Sequence, residues 1–360
     1  MPTPPTSVNN KTQVEASLWG RTSTGEPVDL YTLTSKDLTV VLSNLGGTII
    51  SIFAPDRNGV QADIVFGYDN PADYQADTSH YFGATIGRFA NRIANGTFTI
   101  NGERFQIPQN NETNALHGGP GGFDTKVWLA HIIPDGVEMT LTSEDGDMGF
   151  PGTLKVNVRF TLNGNRLLIE YHATTSKPTV VNLTDHSYFN LSNQPGDSIL
   201  GHELLLHAEH FTPMTPAHVP SGELTPVANT PFDFRQAKPI GQDIEQDHEQ
   251  LRIGGGYDHN FVVGSGQATS PVLIAEVYEP TSGRILRVET TEPGVQFYSG
   301  NFLNGSATGK VGVVHNYRTG ICLETQHFPD SPNHPSFPST LLLPDQTFRS
   351  STVYSFDVKR

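Results

Sequence analysis

What most limits the folds open to this chain is its punctuation. Runs rich in β-branched and aromatic residues are broken, roughly every eight to twelve residues, by glycine, asparagine, aspartate or proline. Residues 37–42 and 47–53 are two such runs, with Asn44-Leu45-Gly46-Gly47 as the turn between them. Residues 137–143 and 152–162 read as a hairpin around the acidic loop 144–151, and the hairpin signal Asn163-Gly164 leads on to residues 166–174. No long window sustains a helical period. The best helical candidate is residues 241–251, short, acidic and expected on the surface. These features point to an all-β sandwich or barrel. A chain of 360 residues has room for one large β domain or two ordinary ones. Residues 1–10, with Pro2, Pro4 and Pro5, read as a loose, flexible tail.

The formal net charge of -15 argues against nucleic acid and anionic membranes as partners, because both require a basic face that displaces counterions. Phosphorylated substrates are disfavoured on the same ground. The single Cys322 excludes an intramolecular disulfide and suits a reducing cytosol. Nothing reaches the length of a membrane span, and residues 1–10 lack a basic region followed by an apolar one. The expected location is cytoplasmic, with a mature secreted or periplasmic chain as the alternative.

Chemistry concentrates in a few segments. Residues 182–191 pack Asp185, His186, Ser187 and Tyr188 among amides and aromatics, an inventory no ordinary strand core needs. If this stretch is extended, His186 and Tyr188 share a face with Thr184, while Asp185, Ser187 and Phe189 share the other. Gly83 to Ile93 combines small residues that let backbones approach with the donors Arg88, Asn91 and Arg92. A surface ion pair is the expectation for Arg88, whereas Arg92 precedes a strand and a second polar cluster. That cluster sets His117 among Gly118, Gly119, Gly121 and Gly122, a loop with special backbone dihedrals of the kind that carries function.

Asp258 follows three glycines at the start of a strand and on its own reads as a turn residue. Gln296 lies beside Phe297 and Tyr298, and aromatics next to amides suit a sugar, whose C–H faces rings cover while planar groups fix hydroxyls. Glu324 is different, because Ile321 and Leu323 alternate with Cys322 and Glu324 in a strand that reads as buried. A carboxylate there is costly unless paired or employed. No His-x-His, His-Glu-x-x-His or Cys-x-x-Cys spacing suggests a metal, and no Lys-Ser or Lys-Thr closes the glycines into a phosphate loop.

Taken together, Gly87-Arg88-Phe89-Ala90-Asn91-Arg92-Ile93, Leu116-His117-Gly118-Gly119, the stretch 182–191, Gly256-Tyr257-Asp258-His259-Asn260-Phe261, Gly294-Val295-Gln296-Phe297 and Leu323-Glu324-Thr325-Gln326-His327 resemble the motifs of the aldose 1-epimerase, or galactose mutarotase, family, in that family's order. The resemblance implies a single large antiparallel β-sandwich over residues 11–360, the galactose mutarotase-like supersandwich, with an open sugar cleft, a free monosaccharide as substrate and no cofactor or metal. It implies Glu324 as general base and His186 as general acid. His117 would assist near the ring oxygen, and Asn91, Arg92, Asp258 and Gln296 would hold sugar hydroxyls. The family commonly has asparagine where this chain has Asp185. Both a monomer and a homodimer are compatible with this reading.

Interconverting anomers requires one proton to leave the anomeric hydroxyl while another reaches the ring oxygen, and a carboxylate with an imidazolium supplies both transfers. An unperturbed histidine titrates near pH ~6.5, so His186 is expected to be raised by a nearby carboxylate or the bound sugar. Two rival readings use the same residues: a glycoside hydrolase built on Glu324 and Asp258, and a sugar-binding sandwich without activity.

Overall fold

The computed structural model describes residues 11–192, 194 and 196–360, so the expected tail at 1–10 lies outside the described residues. The all-β expectation holds, and every ladder between named strands is antiparallel. A five-stranded meander runs from Gln13–Arg21 through Pro27–Thr34, Thr39–Ser43 and Thr48–Pro55 to Gln61–Asp63. A nine-stranded sheet follows the order Leu129–Ile133, Gly136–Ser143, Leu154–Asn163, Arg166–Thr175, Phe348–Val358, Arg284–Thr290, Val272–Tyr278, Glu203–Leu206, Lys238–Pro239. A six-stranded sheet follows the order Tyr188–Phe189, Ile321–Gln326, Gly294–Tyr298, Asp258–Val262, His210–Phe211, Thr225–Pro226.

Side-chain alternation makes the layers. In Leu154–Asn163 the residues Leu154, Val156, Val158, Phe160 and Leu162 are buried while Lys155, Arg159 and Asn163 are exposed. That apolar face joins Ile169, Tyr171, Val288 and Tyr354 of the same sheet, and Phe261, Val295, Phe297, Ile321 and Leu323 of the six-stranded sheet, in one core. The six-stranded sheet therefore has two unlike faces. Ile321, Leu323, Val295 and Phe297 point into the core, and the period of two sends Cys322, Glu324, Gln296 and Tyr298 the other way. All of Ile321–Gln326 is buried, so the polar face lies under a further layer, formed by the loops around residues 77–93 and 115–118.

Several expectations need correction. Residues 241–248 form turns, and the helix is Glu249–Gly254, capped by the His248 side chain and ended by left-handed Gly255. Asp243 is drawn to Lys238 (2.6 Å) and to the Gln246 side chain (2.7 Å), local contacts that compete with helix formation. A second helix, Pro71–Ala76, occupies what reads in sequence as a polar loop; the Asn70 side chain accepts from Asp73 N–H at 3.0 Å and Pro71 fills the first turn.

Arg88 is not on the surface. It is 1 % exposed, and its guanidinium donates to the carbonyls of Pro151 (2.9 Å), Gly152 (2.8 Å), Ser143 (3.1 Å) and Glu144 (3.2 Å) and to Ser143 Oγ (2.7 Å). Burial pulls its pKa down to about 10, opposed by Asp147 and Asp145, so it stays charged at neutral pH. The cation ties the acidic loop 144–151 beneath the segment that carries Asn91 and Arg92. Arg88→Ala is expected to lose ~3 kcal/mol or more in urea unfolding, because several buried carbonyls lose their donors together. A loss under ~1 kcal/mol would show that the cage is not structural.

Candidate active site

Register across the six-stranded sheet builds the floor of the site. Asp258, Tyr298 and Cys322 are direct partners on three neighbouring strands, and Asn260, Gln296 and Glu324 form the next row. Gln296 Nε2 donates to Asp258 Oδ1 at 2.8 Å, which fixes the carboxylate that sequence alone would leave as a turn. Arg92 Nη1 approaches Asp258 Oδ2 to 3.9 Å, and its Nε donates to Asn111 Oδ1 at 2.9 Å. Arg92 and Asp258 are 8 % and 7 % exposed, so their attraction is little screened.

Asn91 and His117 lock each other. The Asn91 N–H donates to His117 Nδ1 at 3.2 Å, and the His117 N–H donates to the Asn91 carbonyl at 3.1 Å. Both residues have positive φ, 64° and 53°. The next residue is Gly118 for a direct reason: at φ 88° an added Cβ would lie 2.2 Å from the Gly87 carbonyl oxygen. With Nδ1 accepting, the neutral His117 ring carries its proton on Nε2. Burial, His186 and Arg92 all push its pKa well below the usual value.

His186 sits between Glu324 and three rings. Its Nε2 is 3.5 Å from Glu324 Oε2, and its Nδ1 is 3.7 Å from Cys322 Sγ. Tyr188 stacks on it at 5.2 Å, as the shared strand face predicts, and His117 meets it edge-on at 5.0 Å. Burial lowers its pKa to about 4, and burial first, then Asp258, raises Glu324 well above the ordinary carboxyl value against the pull of Arg92. The expectation of a raised histidine is thus corrected. Desolvation disfavours both charged forms and outweighs the facing carboxyl.

Glu324, His186, His117, Asn91, Arg92 and Asp258 line one cleft of about 260 Å³, with Gln296 behind Asp258. Tyr298 and Phe302 form part of its wall, as the aromatic–amide segment suggested. Sequence reasoning missed Ser79, His80, Tyr81, Asn304 and Ser306, which complete it. Tyr81, at φ 57°, packs on His117 at 4.7 Å and His186 at 5.8 Å. Its loop is pinned by Asp77, which accepts from the Tyr68 hydroxyl at 2.7 Å and faces His80 Nδ1 at 2.9 Å. Only the crowding of polar and aromatic residues just before Gly83 hinted at this. Donor atoms of His117, His186 and Glu324 lie within 4.8 Å of one another, close enough to share a cation although no ligand spacing marked them.

A buried carboxyl, two imidazoles and fixed amide, guanidinium and carboxylate groups around a hexose-sized cleft define a carbohydrate-converting β-sandwich rather than a phosphate or nucleotide enzyme. Comparison agrees. The aldose 1-epimerase family matches residues 29–355. The chain is 40% identical to the galactose mutarotase of Sus scrofa, over 96% of its own length and 99% of the relative's, and 38% identical to the aldose 1-epimerase of Escherichia coli K12, over 92% and 96%. The crystal structure of an aldose epimerase homologue from C. elegans superposes with a TM-score of 0.83 at 30% identity, covering 90% of this chain and 97% of that one. The chain belongs to the aldose 1-epimerase family and is accordingly an isomerase.

The lock between Asn91 and His117 makes a spectroscopic prediction. Long-range ¹H–¹⁵N correlations should show the His117 ring as the neutral Nε2–H tautomer throughout about pH 5 to 8. A ring protonated at Nδ1 in that range would contradict the geometry.

Proposed function

We propose that the cleft opens and recloses the pyranose ring of a free aldohexose, galactose or glucose, with Glu324 and His186 as the proton-transfer pair. The observation that carries this is their 3.5 Å approach inside the cleft that Arg92, Asp258 and His117 also line. Glu324 accepts the proton of the anomeric hydroxyl, and His186 delivers one to the ring oxygen, so the C1–ring oxygen bond breaks and the aldehyde forms. Rotation about the C1–C2 bond and reversal of both transfers give the other anomer. His117 offers its Nε2–H toward the ring oxygen, and Asn91, Arg92, Asp258 and Gln296 grip hydroxyls. Family membership weighs against the hydrolase, and the full set of proton-transfer groups weighs against a binding module.

The pair needs one proton between them. Burial by the protein favours carboxylic acid with neutral imidazole. Sugar hydroxyls that donate to the Glu324 carboxylate favour its ionised form, which moves the proton to His186. The net change over a cycle is zero, so no metal or cofactor is required. The core that runs from Tyr31 to Phe356 supports reading residues 11–360 as one domain. Among the described residues no helix is long and apolar enough to cross a membrane, and the buried, unpaired Cys322 suits a cytoplasmic location.

Polarimetry on freshly dissolved α-D-galactose tests the roles. Glu324→Gln should keep the fold and lower kcat by ~10² or more, because the amide keeps the shape and cannot accept a proton. Retention of over about a tenth of kcat would move the base elsewhere.

The pH dependence follows from the shared proton. Below the depressed His186 value of about 4 the pair takes a second proton, and above the raised Glu324 value it loses its only one. Activity of the free enzyme, read as kcat/KM, should therefore fall in acid only near pH 4 and fall in alkali as Glu324 ionises. A profile still rising at about pH 7 would contradict this, because the pair would then shed its second proton well above the depressed His186 value.

A further inference from the structure

One residue in the central stretch has no part in the chemistry above. Asp185, 4 % exposed, precedes His186 and points to the opposite side of the strand. Its Oδ1 accepts the Ser187 N–H at 3.1 Å and the Tyr354 hydroxyl at 3.2 Å. Among the described residues Oδ2 has no hydrogen-bond partner, and neither have the buried hydroxyls of Ser187 and Tyr171.

The first bond closes a turn from residue i to i+2, the Asx geometry that lets a side chain replace a ladder bond. It falls where the strand breaks. Thr184 and Asp185 pair with Ile86 and Thr85, Tyr188 and Phe189 pair with Cys322 and Ile321, and His186 and Ser187 belong to neither ladder. The second bond comes from across the core. Tyr354 lies in Phe348–Val358 of the nine-stranded sheet, partnered by Leu167 and Val288, and its ring meets Phe189 edge-on at 5.3 Å.

His186 depends on such support. Its ring nitrogens lie 3.5 Å from Glu324 Oε2 and 3.7 Å from Cys322 Sγ, too far for strong hydrogen bonds to aim the ring. Its backbone is tied on one side, with its N–H to the Ala84 carbonyl and its carbonyl to the Gly83 N–H, both at 3.0 Å. The turn at Asp185 and Ser187 adds a constraint on rotation about that tie, beside the packing of Tyr188 and His117 on the ring. We propose that Asp185 is a positioning residue for His186, its carboxyl locking the turn to Tyr354 so that the imidazole faces Glu324. This rests on the proton-transfer role given to His186.

The experiment compares Asp185→Ala, Asp185→Asn, Tyr354→Phe and His186→Asn in the mutarotation assay, each checked for folding by circular dichroism and thermal melting. A group displaced by ~1 Å costs up to about 10²-fold in rate, so Asp185→Ala should lower kcat by about that much and change KM less than about twofold. Asp185→Asn keeps the Oδ1 acceptor and should recover kcat to within about fivefold of wild type, and Tyr354→Phe should fall between the two. Tyr354→Phe keeps the ring and its packing, so it carries the test if Asp185→Ala does not fold. The proposal is overturned if folded Asp185→Ala or Tyr354→Phe keeps wild-type kcat, if Asp185→Asn is as slow as Asp185→Ala, or if KM rises as much as kcat falls. His186→Asn separates the two ideas: if it retains kcat, the proton-transfer reading fails; if it loses kcat while Asp185→Ala does not, only the positioning role fails.

Discussion

Everything at the site depends on the register of one sheet. Asp258, Gln296 and Glu324 come from three strands far apart in sequence, yet they sit on one face because Asn260 opposes Gln296 and Gln296 opposes Glu324. A slip of one residue in Ile321–Gln326 would send Glu324 into the apolar core and Leu323 and Thr325 into the cleft. The core holds that register, since Ile321, Leu323, Val295, Phe297 and Phe261 are buried against the nine-stranded sheet. Packing on one face thereby places Asp258, Gln296 and Glu324 on the other.

The second layer supplies what the sheet cannot. Loops carrying Asn91, Arg92 and His117 cover the polar face, and they are held by bonds that give the site no proton to move. Arg88 draws in carbonyls of the 143–152 region, and Asn182 donates to the Ala90 carbonyl at 3.2 Å and the His327 carbonyl at 3.1 Å. This roof is what dries the site. Dryness in turn pushes Glu324 and His186 toward their neutral forms, so the pair is poised to respond to hydroxyl donors and not to bulk water.

Much of this was legible in the sequence because it is local. Alternation exposed the unusual burial of Glu324, and Asn163-Gly164 marked a hairpin whose register pairs Asn163 with Arg166. The stretch 182–191 stood out by composition, and the face it shares between His186 and Tyr188 is real. What was hidden depends on distant chain. The acceptors of Arg88 lie 55 to 64 residues away, so a buried cage read as a surface cation. Asn70-Pro71 reads equally as a turn or a helix start, and the Asp73 N–H decides it. Tyr81 carries no motif, and it reaches His117 only because its loop folds over the sheet. The direction of the His186 shift depends on how dry the roof is, which no spacing encodes.

The central claim is that this dry carboxyl–imidazole pair opens a pyranose ring and does not cleave a glycosidic bond. Two-dimensional exchange NMR on galactose at anomeric equilibrium, repeated on its methyl glycoside, tests it most directly. The account predicts enzyme-dependent exchange between the α and β anomeric protons of the free sugar and none for the glycoside, whose anomeric oxygen has no proton to give. Absence of exchange in the free sugar with folded protein, or release of methanol from the glycoside, would contradict it.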